Sequence, residues 1–320
     1  MKIYEKKKEI LNIIKKSSQI FIVAHRNMDL DAINSCIALS YYLKKNNLES
    51  YIIVDDLKHE NGVKQVLNDC AKTINIIKSK EITNPNNSVL IILDTNKKSL
   101  VQNSELIDMF NNIINIDHHD YKTTSIKKGL SIIDESSSST CEMLTEFFEK
   151  EKIDIDKKIA NLLLGGIVLD TNYYQLKTTK NTFYYSYYLM NNGATMEYVN
   201  TLLKQNIDDY IKRLKIIASV KKRKGIAIAR GKVNNIYNKE ELAKAADIIL
   251  TFKNIKASFV IGRISKDEIG ISARSMGDIK VGKIMEKMGG GGDEFEAATI
   301  IKSQKIDEVV SILNKIIKNI

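Results

Sequence analysis

QIFIVAHRNMDLD, residues 19–31, runs from an unbroken apolar stretch into a loop carrying one histidine and two acids. The first six residues, rich in Ile and Val and bounded by polar neighbours, read as a strand buried on both faces. In an extended loop Asp29 and Asp31 project to the same side, because side chains alternate with period two. The stretch therefore predicts acids gathered at the end of a buried strand.

Further along, residues 51–54 (YIIV), 89–93 (VLIIL) and 112–116 (NIINI) read as strands of the same kind. Helical patterns cover residues 31–45, 61–68, 138–150 and 156–169. Strands alternating with helices predict an α/β fold whose mostly parallel sheet is flanked by helices, with ligands bound beyond the carboxyl ends of the strands. From residue 181 to 222 the pattern is helical and polar. A second, smaller α/β unit follows, with strands at 225–229, 257–261 and 268–273 and helices at 240–251, 280–287 and 307–317. The expected organisation is a first domain over 1–192, a helical connector over 193–224 and a second domain over 225–320. A chain of 320 residues is long enough for each domain to bury its own core.

Composition narrows the function classes. Hydrophobic residues make up 43% and charged residues 28%, which argues against wholesale disorder. The net charge of +10 comes almost wholly from lysines spread along a chain also rich in Ile and Asn, not from a concentrated basic groove. Such a field attracts a small polyanion without specifying long duplex nucleic acid. Three cysteines, with no C-x-x-C, argue against a disulfide framework and fit a reducing cytoplasm. No apolar run approaches the length of a membrane span, so a soluble protein is expected.

Four segments place acids or histidines just after an apolar element: His25-Arg26-Asn27-Met28-Asp29-Leu30-Asp31, Asp94-Thr95-Asn96, Asp117-His118-His119-Asp120 and Asp170-Thr171-Asn172. Any one acid there reads as an ordinary turn residue or helix cap. The histidines carry more weight, since the chain has four and three of them lie in these segments, leaving only His59 outside. Oxygen and imidazole donors without thiolate suit Mn or Mg better than a closed structural zinc site.

The pattern H-x-x-x-D-x-D, then D, D-H-H and D, resembles the DHH phosphoesterases, which include RecJ-like nucleases, oligoribonucleases and cyclic di-AMP phosphodiesterases. The resemblance implies two divalent ions, Mn foremost with Mg or Co as options. It gives His25, Asp29 and Asp94 to the first ion, and Asp31, Asp94, His118 and Asp170 to the second, with Asp94 bridging. By the same resemblance His119 contacts the scissile phosphate, and Asp117 orients His118.

SARSMGDIKVGKIMEKMGGGG, residues 272–292, together with IAIARGK, ELAKAADIILTF, ASFVIGRI and TFYYSYYLMNNGAT, is similar to the GdpP type of cyclic di-AMP phosphodiesterase. This similarity implies that the second domain binds substrate through Arg274, Ser275, Gly290, Gly291, Gly292 and the residue after them. A forked guanidinium suits phosphate oxygens, and glycines let backbone amides approach an anion. Where the family pattern has a histidine after the glycines, this sequence has Asp293; an ionised acid accepts hydrogen bonds and repels an anion. The membrane helices, PAS domain and degenerate cyclase domain usual in the GdpP type are absent from this sequence, so regulation through them is not expected of it.

The implied reaction is hydrolysis of cyclic di-AMP to linear pApA by water activated at the metal pair, with His119 and Arg274 stabilising the developing charge. A runner-up keeps the fold and changes the substrate to pApA, short RNA or adenosine 3′,5′-bisphosphate. A family II inorganic pyrophosphatase shares the DHH segments but not the glycine loop. A non-catalytic nucleotide sensor is disfavoured because every expected ligand is present, and a processive nuclease because the chain is short for the added strand-binding surface with aromatic platforms that such an enzyme needs, and contains no Trp. The partner is thus a small nucleotide, with no membrane; a homodimer is left open.

Overall fold

In the computed structural model, which describes residues 1–56, 59–119, 126–292, 294–303 and 305–318, the apolar runs of the first half assemble into one sheet. The elements of this half are α1 (Ile3–Lys15), β1 (Ile20–Val23), α2 (Leu30–Lys45), β2 (Tyr51–Ile53), α3 (Asn61–Cys70), β3 (Asn75–Ile77), β4 (Val89–Leu93), α4 (Leu106–Met109), β5 (Asn112–Asp117), β6 (Leu130–Ile133), α5 (Thr140–Lys150), α6 (Lys157–Asp170), α7 (Lys180–Asn191) and α8 (Met196–Leu202). The strand order is β3-β2-β1-β4-β5-β6 and every pairing is parallel.

Burial on both faces explains the unbroken apolar strands. Ile20 and Ile22 of β1 join the core formed with α2, α5 and α6, whereas Phe21 and Val23 face the opposite side, with Leu106 and Phe110. Phe21 and Phe110 meet edge to face, with ring centroids 5.6 Å apart. On the first face α2 is buried almost all round and is tied to α6 by the Asn34 side-chain amide, which donates to the Leu162 carbonyl at 2.8 Å.

The chain divides into two units, Met1–Lys204 and Gln205–Ile320. Of the stretch expected as a connector, α8 belongs to the first unit, while α9 (Ile207–Ile217) and β7 (Lys221–Arg223) belong to the second. The second unit continues through β8 (Ile226–Arg230), α10 (Lys239–Leu250), β9 (Ala257–Ser265), β10 (Glu268–Ser275), α11 (Val281–Glu286), β11 (Gly291–Gly292), β12 (Glu296–Lys302) and α12 (Ile306–Lys318). Its sheet runs β11-β12-β10-β9-β8-β7 and is mixed: β8 and β9 are parallel, the other pairs antiparallel. Leu242, Ala245 and Ile249 of α10 cover one face against Ala227, Ala229 and Val260. Ile284 of α11 and Val309 and Leu313 of α12 cover the other, against Phe259 and Ile271. Among the described residues no helix is long and apolar enough to cross a membrane, and Cys36, Cys70 and Cys141 are buried free thiols.

Candidate metal centre

The acid and histidine motifs come together because they leave neighbouring parallel strands at the same end. β1 pairs with β4 and β4 with β5, so the chain leaves the sheet side by side after Val23, Leu93 and Asp117. Asp94 turns its segment at once: its φ is 59°, in the left-handed region that Asp tolerates better than most residues. Its N–H still donates to the Ile116 carbonyl at 3.0 Å, which holds the turn against β5. Asp29 caps α2 by accepting from the Ala32 N–H at 3.0 Å, and Asp31 falls in the first turn of that helix. Asp170 is the last residue of α6.

Three triads result: His25, Asp29 and Asp94; Asp94, His118 and His119; and Asp31, His118 and Asp170. Within each, one donor atom per residue lies within 4.8 Å of the others. Asp94 belongs to two triads, with its oxygens 3.3 Å from His25 Nε2 and 3.4 Å from His118 Nε2. His118 Nε2 also stands 3.1 Å from Asp170. The His25 ring is aimed by its own Nδ1–H, which donates to the Arg26 carbonyl at 2.8 Å, so that Nε2 faces the acids.

Electrostatics shows which chemistry the cluster suits. Burial pushes the Asp29 carboxyl up to about 6. Burial, then the charges of Asp94 and Asp170, carry Asp31 well above the usual carboxylate range. Burial works against the charge on Asp94 too, but hydrogen bonds from His118 and His25 outweigh it and hold Asp94 well below its ordinary value. Burial likewise opposes the imidazolium forms, yet the facing acids raise His118 well above its ordinary value and His25 to about 10. Four acids in one buried pocket repel one another unless cations intervene. His118 Nε2 is buried and faces the Asp94 and Asp170 carboxylates at 3.4 and 3.1 Å, the placement expected of a metal-ligand atom. The donor set is oxygen and imidazole, and the Cys141 thiol is turned to the Asp31 carbonyl, so the residues fit hard divalent ions such as Mn²⁺ or Mg²⁺.

Every metal ligand expected from the sequence is in this cluster. Asp117 plays a part different from the one expected: its Oδ1 accepts from the His118 backbone N–H at 2.9 Å and from His119 Nδ1 at 2.8 Å, so the ring it orients is that of His119. Sequence reasoning missed Thr140 and Gly166. The Thr140 hydroxyl donates to Asp94 at 3.1 Å, while the N–H groups of Thr140 and Cys141 donate to the two Asp31 oxygens at 2.8 and 2.9 Å. Asp31 thus sits at the N-terminus of α5, where the helix dipole favours an anion. The signal for Gly166 was a pair of glycines inside an apolar helix, where glycine weakens the helix unless close packing needs it.

In the second unit, Arg274 lies on β10 with its Nε donating to Asp247 at 2.6 Å and Glu296 3.5 Å from its terminal nitrogen. Ser275 is buried, and its hydroxyl accepts from the Gly277 N–H at 3.1 Å. The glycine loop divides in role. A Cβ on Gly290 would collide with the β12 backbone at Ala298, and Gly292, at φ 145°, pairs with Ala297, whereas Gly291 faces open space. Asp293 lies outside the described residues.

Residues 19–167 match the DHH family, N-terminal domain, and residues 223–319 match the DHHA1 domain. The cyclic-di-AMP phosphodiesterase PdeA of Listeria monocytogenes is 35% identical over 92% of this chain and 47% of its own length. The cyclic-di-AMP phosphodiesterase GdpP of Geobacillus thermodenitrificans is 33% identical over 95% of this chain and 48% of its own. The chain therefore spans about half the length of these relatives. The bifunctional oligoribonuclease and PAP phosphatase NrnA of Thermus thermophilus is 24% identical over 95% of this chain and 91% of its own. Among solved structures, an exopolyphosphatase-related protein from Bacteroides fragilis superposes with a TM-score of 0.82 at 19% identity, over 98% of this chain and 95% of that one, a likeness of fold.

Proposed function

The chain belongs to the DHH family and carries a DHHA1 domain after the metal-site domain, and on that premise we propose that it is a two-metal phosphodiesterase that opens cyclic di-AMP to linear pApA. The observation that carries this reading is the sharing of Asp94 between overlapping donor triads at the carboxyl end of one parallel sheet. His25, Asp29 and Asp94 would hold one ion; Asp31, Asp94, His118 and Asp170 would hold the other, and Mn is the proposed metal. Bound divalent ions supply charge to the phosphoryl oxygens of an in-line displacement and lower the pKa of water.

The chain's own residues do the positioning. Thr140 and the amides that open α5 keep Asp94 and Asp31 in place, and Asp117 fixes the ring of His119, which we assign to the scissile phosphate. Arg274 and the residues around it, including Ser275, Gly290, Gly291, Gly292 and Asp293, are the proposed substrate contacts of the second unit. The names of PdeA and GdpP support the cyclic substrate, and a cytoplasmic setting is where such a substrate and reduced cysteines would meet.

A second reading, hydrolysis of pApA or short RNA, is favoured by the relation to NrnA, which this chain matches over nearly the whole length of both proteins. Purified protein supplied with Mn²⁺ and given cyclic di-AMP or pApA, with products followed by chromatography, tests both. Accumulation of pApA from the cyclic substrate is the expected result. Rapid release of AMP from pApA with the cyclic substrate intact would move the protein to the second reading, and turnover of neither would overturn both.

A further inference from the structure

A cavity of about 680 Å³ opens in the first unit, its wall including Glu135, Ser136, Ser137, Tyr174, Thr179 and Phe183. The volume falls in the range of small-molecule sites. Both sides of the wall continue the segments that build the metal centre. Three residues after Ser137, Thr140 bonds to Asp31 and Asp94; four residues before Tyr174 stands Asp170. Four residues span at most about 14 Å even when fully extended. The cavity thus lies within the scale of a single nucleotide from the acids.

Its chemistry is that of a base site. Tyr174 and Phe183 are stacked, with centroids 5.4 Å apart and planes 20° from parallel. The Tyr174 hydroxyl donates to Ser186 at 3.1 Å, which fixes the inner ring. Thr179 caps α7 and so sets the position of Phe183 one turn on. Phe183 nevertheless remains 58% exposed, so one face rests on Tyr174 and the other is open. The chain also accepts unfavourable geometry to place this platform: Asn172, Tyr173 and Tyr174 follow one another at φ 45°, 56° and 64°. Such conformations are costly for aromatic residues and persist where the surroundings enforce them, commonly at ligand clamps. On the rim, the Ser136 and Ser137 hydroxyls donate to Asp134, which turns their oxygens into acceptors, and Glu135 adds a carboxylate. Acceptors suit an exocyclic amino group.

We infer that this cavity receives an adenine-like base of the substrate, stacked on the open face of Phe183 with its amino edge toward Glu135 and Ser136. The inference rests on the phosphodiesterase reading for its reaction, but the base site can be tested without turnover. Phe183→Ala and Phe183→Tyr are compared with the unaltered chain by calorimetric titration with AMP, and by turnover of cyclic di-AMP and of a base-free cyclic dinucleotide of the same linkage. Phe183→Ala should weaken AMP binding and raise KM for cyclic di-AMP about tenfold or more. It should leave melting temperature and base-free turnover unchanged, and Phe183→Tyr should behave as the parent. Equal AMP affinity in parent and Phe183→Ala, no AMP binding by the parent, or equal losses on both substrates would each overturn the base site. AMP binding that depends on Phe183 in a protein that hydrolyses neither dinucleotide would uphold the base site and remove the phosphodiesterase reading instead.

Discussion

Gly166 lies so close to Asp31 that a Cβ built on it would stand 2.7 Å from the Asp31 carboxylate oxygen, and it would also strike the Cys141 sulfur. The bare backbone of α6 is what lets α2 and α5 bring an acid into the cluster. Gly166→Ala should therefore cost about 1–3 kcal/mol of stability, as overpacking does, despite alanine's better helix propensity. It should also displace Asp31. Chemical denaturation and a divalent-ion titration check the two effects; a variant that is more stable and binds ions normally would show that the site tolerates the methyl group.

Asp94 is shared between donor triads, so its loss should affect both ion positions together. For the intact protein, Mn²⁺ should raise the melting temperature and a chelator should reverse the rise, as expected for a ligand bound only by the folded state. Asp94→Ala should abolish the shift, whereas Asp29→Ala, which touches one triad, should leave part of it. Elemental analysis of the purified variants provides the independent count.

The bond from His119 Nδ1 to Asp117 makes Asp117 a positioning residue. Asp117→Asn should lower kcat about 10- to 100-fold. Metal content and KM should stay near those of the parent protein. If metal content falls in step with kcat, Asp117 acts instead through the His118 backbone that it also binds.

Away from the metal centre, Lys2 joins α1 to Asp134 at 2.8 Å and to Glu146 of α5 at 2.7 Å. Burial works against charge on Asp134, but bonds from Lys2, Ser136 and Ser137 prevail and lower its carboxyl from 3.8 to about 2. A carboxyl lowered by folding binds its proton more readily in the unfolded chain. Its contribution is complete above about pH 4 and is lost as the pH falls toward 2. Lys2 is raised, so on the alkaline side the bridge contributes until the pH passes the ordinary lysine value of 10.5 and rises toward the folded one. Lys2→Gln should remove about 1 kcal/mol near neutral pH, allowing for solvent around Lys2, and should flatten the acid limb of the stability curve. Urea denaturation at a series of pH values measures both.

The central strands of the first unit were legible because burial on both faces leaves an unbroken apolar run, as in VLIIL. β3 and β6 were not legible, and the reason is their place at the sheet edges: Asn75 and Ile76 are exposed, and β6 is four residues long with its first two only half-buried. β12, EAATIIK, buries Ala297 and Thr299 in alternation, but alanine and threonine make a weak pattern. In α1 the signal was present at Ile3, Ile10 and Ile14, although lysines dominate the segment. The candidate metal ligands could be read because most lie in segments that follow a strand directly, and Asp170 closes the apolar run of α6. Thr140 could not, since its role exists only after α2 and α5 have packed; for Gly166 the glycine pair within an apolar helix was the one trace, and its meaning appears only once α6 packs against α2 and α5.

The residues proposed to hold ions run from His25 to Asp170, across most of the first unit in sequence order. A growing chain presents them one motif at a time: the donors proposed for one ion would be complete in sequence at Asp94, those for the other only once Asp170, at the end of α6, has been made. The proposed second ion would thereby be held only late in that unit's synthesis, and a nascent chain interrupted before α6 would carry only part of its donor set.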